Sequence, residues 1–383
     1  MKTQKILILG ITGNLAKLKI MPAIGQYFDL HSNEINIEIY GYSRSKASLD
    51  EVQSLIRSQI KSSQNLNKLP KITLIQGEYI DKTFYDQLVS SLTQNDSLAI
   101  YLAVPPSIYT NFLENSCPYS KRPIDILIEK PFGESLSEGQ RIMDIVAKCD
   151  LHQRVHFLDH YLFKSALQID NQKVKQQLDR YNLNIQDIKS IDIFANEIVD
   201  VKDRGGYYDN NGAIKDMFPH LYSLYNFGMD FFANKVENSW SVVDMGKSQY
   251  EGYKTDVQNP DSTTETSFFV ILKNCISQTN NFNLALISGK KAKQKWTNMT
   301  FLFKNKHRLE LELYPNNTLH LIDDRNTIIN DFKINLDHKL DHTRVFENVF
   351  AGDFSRFVPN NKVLEYWQVY QKIADASKTT ILN

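Results

Sequence analysis

Between Asp159 and Lys164 the chain places a carboxylate, an imidazole, a phenol and an ammonium within six positions: Asp159, His160, Tyr161 and Lys164. They follow Phe157-Leu158 and enclose Leu162-Phe163, so several are expected to be half buried. Buried charge is costly unless it is paired or meets a ligand. Two cations beside a phenol suit an anion, and a carboxylate beside an imidazole suits proton transfer. A structural ion-pair cluster is the competing reading. A second basic run, Lys290-Lys291-x-Lys293-x-Lys295, reads either as part of an anion site or as a solvated loop.

Strands and helices must hold these groups. Lys5 to Leu9 reads as a buried strand, Gly10-Ile11-Thr12-Gly13-Asn14 as a turn, and Leu15 to Phe28 as a helix. Helical spacing puts Leu15, Leu18, Met21 and Ile24 or Gly25 on one face. Strand, glycine turn and helix is the context in which backbone approaches a pyrophosphate at a helix N-terminus. The candidate dinucleotide contacts are Gly10, Thr12, Gly13, Asn14 and Leu15. A plain strand-to-helix turn is the alternative, because the three-glycine fingerprint is not met. A second strand, Ile35 to Tyr40, leads to Ser43 and Arg44, where NAD sites usually carry an acid. Arginine there suits a ribose 2′-phosphate, which favours NADP while leaving NAD open; a solvated basic turn is the bland reading. The strand Ser97 to Val104 brings Ala103 and Pro105 to its carboxyl end, where such sheets bind ligands. Ile124 to Ile128 brings Lys130 to the same edge, and Ser135 to Cys149 reads as a helix.

The 383 residues suffice for two domains. Lysine plus arginine equals aspartate plus glutamate, which gives no electrostatic case for nucleic acid or an anionic membrane as partner. Cys117, Cys149 and Cys275 form neither a metal motif nor a disulfide framework, so reduced thiols in a cytoplasm are expected. The run Ile6 to Leu9 is too short for a signal-peptide core, and no segment approaches the length of a membrane span.

These motifs together resemble the glucose-6-phosphate dehydrogenase family. Gly10-x-x-Gly13-Asn14-Leu15-Ala16-x-x-Lys19 is similar to its G-x-x-G-D-L-A-x-x-K opening, and Glu129-Lys130-Pro131-Phe132-Gly133 to its E-K-P-F-G. Asp159 to Lys164 resembles its D-H-Y-L-G-K. Glu197, Arg204-Gly205-Gly206-Tyr207-Tyr208-Asp209, Gly212, Asp216, Gln249-Tyr250, Thr264-Glu265-Thr266, Gly289-Lys290, Lys295, Gly352-Asp353, Phe357, Glu365 and Trp367 follow in register. Several weak motifs in order make a strong signal. The resemblance implies a Rossmann-type α/β dinucleotide domain over 1–157. It also implies an α+β domain over 158–383 with a large, mostly antiparallel sheet. Ile188 to Phe194, Thr266 to Leu272 and Met299 to Phe303 have strand patterns, Tyr314 to Asn317 reads as a turn, and Val363 to Ala374 as a closing helix.

By resemblance, a hexose 6-phosphate, glucose 6-phosphate by default, is oxidised at C1 with hydride passed to NADP. The phosphate falls to His160, Tyr161, Lys164 and Lys295. The sugar hydroxyls fall to Lys130, Glu197, Asp216 and Lys290, with Lys19 near cofactor and substrate. His220 is the expected base and Asp159 the carboxylate that orients it. A homodimer through the second domain's sheet is expected by the same analogy. Departures bear on the sugar. Asp216-Met217-Phe218-Pro219-His220 sets the histidine four after the aspartate where the family has five, so a residue is deleted or Pro219 rebuilds the helix. Asp-x-x-x-His with Lys130 is similar to the glucose–fructose oxidoreductase and inositol dehydrogenase family. Phe163 replaces a glycine and is expected to add bulk beside the phosphate grip. A dehydrogenase of another sugar or nucleotide-sugar, and a non-catalytic dinucleotide-binding protein, are the competing functions.

Overall fold

The computed structural model describes residues 3–65, 68–232, 239–274 and 281–382. In chain order the strands are β1 (Thr3–Leu9), β2 (Asn36–Ser43), β3 (Lys71–Gln76), β4 (Asp96–Leu102), β5 (Ile124–Glu129), β6 (Val155–Leu158), β7 (Ile188–Asn196), β8 (Trp240–Ser248), β9 (Ser267–Asn274), β10 (Asn283–Gly289), β11 (Trp296–Phe303), β12 (Arg308–Tyr314), β13 (Thr318–Ile322) and β14 (Ile328–Phe332). The helices are α1 (Met21–His31), α2 (Leu49–Arg57), α3 (Thr83–Ser90), α4 (Tyr109–Ser116), α5 (Leu136–Lys148), α6 (Asn171–Arg180), α7 (Gly205–Met229), α8 (Tyr253–Asp256), α9 (Asp341–Ala351) and α10 (Asn360–Thr379). Two compact units emerge: Met1–Phe163 with His338–Trp367, and Lys164–Asp337 with Gln368–Asn383.

The first unit is built on a parallel sheet of order β3-β2-β1-β4-β5-β6. Its inner strands are almost wholly buried, as in a sheet covered on both faces. The order reverses between β1 and β4, the crevice where doubly wound sheets bind dinucleotides. Ser135 caps α5 by accepting from the Glu138 amide, 3.3 Å away. The segment between β1 and α1 departs from the expected single helix. Ala16–Ile20 forms a wide π-type turn before α1 begins. The extra residue per turn rotates the apolar face. Leu18, expected inside, is 69% exposed, while Ala16, Ile20, Ala23 and Ile24 fill the core.

The cysteine expectation is also corrected. Cys117 and Cys149 form a disulfide, with Cα atoms 4.8 Å apart. Their separation of 32 residues hides the pairing in the sequence. Consecutive right-handed crossovers put α4 and α5 on one side of the sheet, which brings their C-terminal ends together. Cys275 lies outside the described residues.

In the second unit an eight-stranded sheet runs β14-β13-β12-β11-β7-β10-β9-β8. It is antiparallel except for the β7–β10 pair. Its strands alternate between buried and partly exposed residues, and α7 packs on β7, β9, β10 and β11. The turn expected at Tyr314 to Asn317 joins β12 to β13, and the closing helix is α10.

Candidate active site and dinucleotide turn

In the first unit, β1 ends at Leu9 and the backbone turns at Gly10, whose φ is +87°. A Cβ there would lie 2.2 Å from the Ala103 carbonyl oxygen, so only glycine fits between β1 and the end of β4. The Gly10 amide donates to Tyr42 O at 2.8 Å and the Gly13 amide to Gly10 O at 2.9 Å, which closes the turn. Thr12 Oγ1 and Ser45 Oγ lie 3.0 Å apart, tying this turn to the end of β2. Arg44 is exposed there with its guanidinium 5.5 Å from the Tyr79 ring centre. Ser43 is buried, and its hydroxyl donates to Ser45 O at 2.7 Å. Asn14 and Lys19 are exposed, Leu15 and Ala103 are half buried, and Pro105 is exposed just past β4. A glycine turn at the crevice, with a basic residue at the end of β2, fits the adenosine and pyrophosphate half of a dinucleotide.

Lys130 follows β5 at the same sheet edge, half buried, and its bond to Pro131 is cis. Asp159 is fully buried, and its Oδ1 accepts from the Tyr161 amide at 2.9 Å. His160 is half buried with its ring 5.3 Å from that of Tyr161. Phe163, expected to crowd the anion, instead points into the core. It is fully buried and edge-on to Phe357 at 5.1 Å. Replacing the family's glycine therefore adds core, not bulk at the grip.

The second unit gathers its charged groups through strand register. β7 and β10 run parallel with Gly289 opposite Asn196, so Glu197 and Lys290 emerge side by side. Amides of Glu197 and Ala292 bond across to Gly289 O and Glu197 O, both at 2.9 Å, and fix that exit. Lys290 Nζ, with its side chain 2% exposed, meets the Glu197 carboxylate and lies 2.7 Å from Asp216 Oδ2. It also lies 3.6 Å from Met217 Sδ and 5.7 Å from the Tyr208 ring centre. Burial pushes the Glu197 carboxyl up, but Lys290 outweighs this and holds it below the ordinary range. Burial, then the neighbouring Asp216 carboxylate, drives the Tyr208 phenol far upward, so it stays neutral.

Asp216 is delivered by a break in α7. Gly212 has φ +70° and ψ 174°, and a second helical stretch starts after it. Glu265 caps this start: its carbonyl accepts from Ala213 N and its Oε1 from Ile214 N, each at 3.0 Å. A Cβ on Gly212 would lie 2.4 Å from that Oε1. Asp216 thus sits in a first helical turn, where a carboxylate is favoured. The helix continues through Pro219, so the irregularity lies upstream of the proline. His220, buried, stands one turn after Asp216 on the same face of the helix. Lys164 is half buried. Lys295 is exposed, with its Nζ 4.4 Å from the Tyr314 ring centre. Tyr208 and Glu265 were visible only as motif letters; nothing in their spacing announced a neutral phenol or a helix cap.

A glycine turn at a sheet crevice in one unit and a buried lysine between two carboxylates in the other suit a dinucleotide-dependent oxidoreductase. The family description "Glucose-6-phosphate dehydrogenase, NAD binding domain" matches residues 7–169, and "Glucose-6-phosphate dehydrogenase, C-terminal domain" matches 172–230. The chain belongs to the glucose-6-phosphate dehydrogenase family. It is 24% identical to glucose-6-phosphate 1-dehydrogenase 6, cytoplasmic, of Arabidopsis thaliana, over 95% of this chain and 84% of that one. It is 28% identical to isoform 5 of the same plant, over 78% and 66%. Among solved structures, a glucose-6-phosphate dehydrogenase in complex with its substrate superposes with TM-score 0.77 at 19% identity, covering 98% of this chain and 91% of that one. A putative myo-inositol dehydrogenase from Sinorhizobium meliloti shares the fold at TM-score 0.59 and 11% identity, over 97% and 98% of the chains.

Proposed function

We propose that this chain oxidises glucose 6-phosphate at C1 to the lactone, using NADP. The observation that carries the reading is the buried lysine bracketed by two carboxylates, with a histidine one turn beyond, in a member of this family. Oxidation breaks the C1–H bond, whose electron pair leaves as hydride, and releases the proton of the C1 hydroxyl. NADP, when bound, accepts the hydride. His220 accepts the proton, and Asp159 is the carboxylate that supports the base. Lys290 pairs with both carboxylates and holds Glu197 ionised, and Glu197 and Asp216 accept from sugar hydroxyls. Lys130 serves the reacting end of the sugar. His160, Tyr161, Lys164 and Lys295 take the phosphate dianion. The glycine turn, Ser43, Arg44, Ala103, Pro105 and Lys19 serve the cofactor, with Arg44 meeting the 2′-phosphate.

The test is nicotinamide absorbance with NADP and NAD against a panel of free and phosphorylated sugars. Reduction with glucose 6-phosphate and NADP is expected. Equal rates with unphosphorylated sugars, or none with any, would overturn the reading.

A homodimer through the open face of the second sheet belongs to the same proposal. That face carries Phe194 and Trp296, 5.0 Å apart, and Phe269, 40% exposed. Light scattering should give twice the chain mass. No helix among the described residues is long and apolar enough to cross a membrane. The relatives' names support a cytoplasmic address, and thiol titration of protein taken from cells would tell whether Cys117–Cys149 is closed there.

A further inference from the structure

A buried polar cluster in the first unit lies outside the residues assigned so far. Glu129 ends β5, immediately before Lys130. Its carboxylate accepts from the Tyr101 hydroxyl of β4, and its Oε1 lies 3.3 Å from His342 Nε2 of α9. Its carbonyl accepts from the Tyr109 hydroxyl at 3.3 Å. Glu129, Tyr101 and His342 are all buried. Such a cluster costs desolvation that apolar side chains would avoid, so stability alone is a poor reason for it.

His342 connects the cluster to the anion-binding turn. Its ring stacks on that of His160, with centroids 5.8 Å apart and planes inclined by 24°. Two residues on in α9, Arg344 Nη1 donates to Phe163 O at 3.0 Å. α9 therefore grips the turn at both His160 and Phe163. The χ2 of a half-exposed histidine is a broad torsion, and fixing it costs entropy when an anion binds. A neighbouring ring that is itself anchored removes much of that cost beforehand.

We propose that His342, anchored by Glu129, is a positioning residue that sets the plane of the His160 ring for the substrate's phosphate. This rests on the assignment of His160 in the proposed function. It predicts an effect on phosphorylated substrate that unphosphorylated sugar does not feel.

Steady-state kinetics of the full chain with NADP, on glucose 6-phosphate and on glucose, would test it. The variants are His160→Ala, His342→Ala, His342→Gln and Glu129→Gln. His342→Ala is expected to raise KM for glucose 6-phosphate about tenfold, with kcat changed less than about twofold. Its kcat/KM on glucose should stay at the wild-type value. His342→Gln keeps a planar group that can donate to Glu129 and should recover most of the loss. Equal losses on both sugars, or an unchanged KM for glucose 6-phosphate in His342→Ala, would overturn the proposal. If His342→Ala does not fold, Glu129→Gln carries the test: its KM for glucose 6-phosphate should rise several-fold, and a KM within about twofold of wild type overturns the proposal. His160→Ala separates the two levels: if it leaves KM for glucose 6-phosphate untouched, the assignment of His160 fails, and this inference with it.

Discussion

The two sheets support their chemistry by different means. The parallel sheet of the first unit is buried on both faces, and its candidate cofactor site is mostly backbone: a glycine turn at a reversal of strand order. The sheet of the second unit alternates, and its candidate site is made of side chains, with Lys290 between Glu197 and Asp216. A backbone site is damaged by an added atom and is nearly indifferent to charge. A side-chain site tolerates small shape changes and fails when one charge is removed.

Substitutions can break or sharpen this contrast. Gly10→Ala should act most strongly, because its Cβ meets a carbonyl oxygen in a left-handed conformation. We expect a loss of about 5 kcal/mol in urea unfolding, with cofactor binding abolished in calorimetry. Lys290→Ala strands two carboxylates and should cost about 3–4 kcal/mol, while cofactor binding to the first unit survives. Gly212→Ala is strained at φ +70° and displaces the Glu265 cap, for about 2 kcal/mol and a marked fall in kcat.

A smaller effect lies in the pH dependence. Glu197 has its folded pKa held below the ordinary 4.5, so its pairing contributes stability that is fully present above about pH 4.5. That contribution is lost as pH falls through the folded value. Unfolding measured from pH 7 to pH 3 should show a shallower acid limb in Lys290→Met than in wild type. Leu18→Gln should change stability by less than about 0.5 kcal/mol, since the π-type turn leaves that side chain in water. A loss of several times that would show the turn to be an ordinary helix with Leu18 inside.

Much of this was legible in the chain. Buried strands such as Ile124 to Ile128 announced themselves as apolar runs, and Gly10 to Asn14 as a turn. The in-register motifs named the family before any coordinate did. Other features left no local trace. The π-type turn at Ala16–Ile20 has the same apolar spacing as a normal helix, so Leu18 was misplaced. Phe163 looked like an intruder at a binding turn because sequence spacing does not say which way a side chain points. Cys117 and Cys149 looked unrelated until two crossovers laid α4 and α5 side by side. His342 was unreadable, since its segment returns to the first unit from far down the chain.

By itself the sequence determined buried strands such as Lys5 to Leu9 and Ile124 to Ile128, the glycine turn and the family, because these follow from local periodicity and spacing along the chain. The tertiary structure alone decided that Lys290 serves two carboxylates, that Gly212 restarts a helix, and that α9 grips the turn at His160 and Phe163. Each depends on strand register or on a returning segment, and contacts between residues distant in sequence are set by packing, which no local pattern encodes.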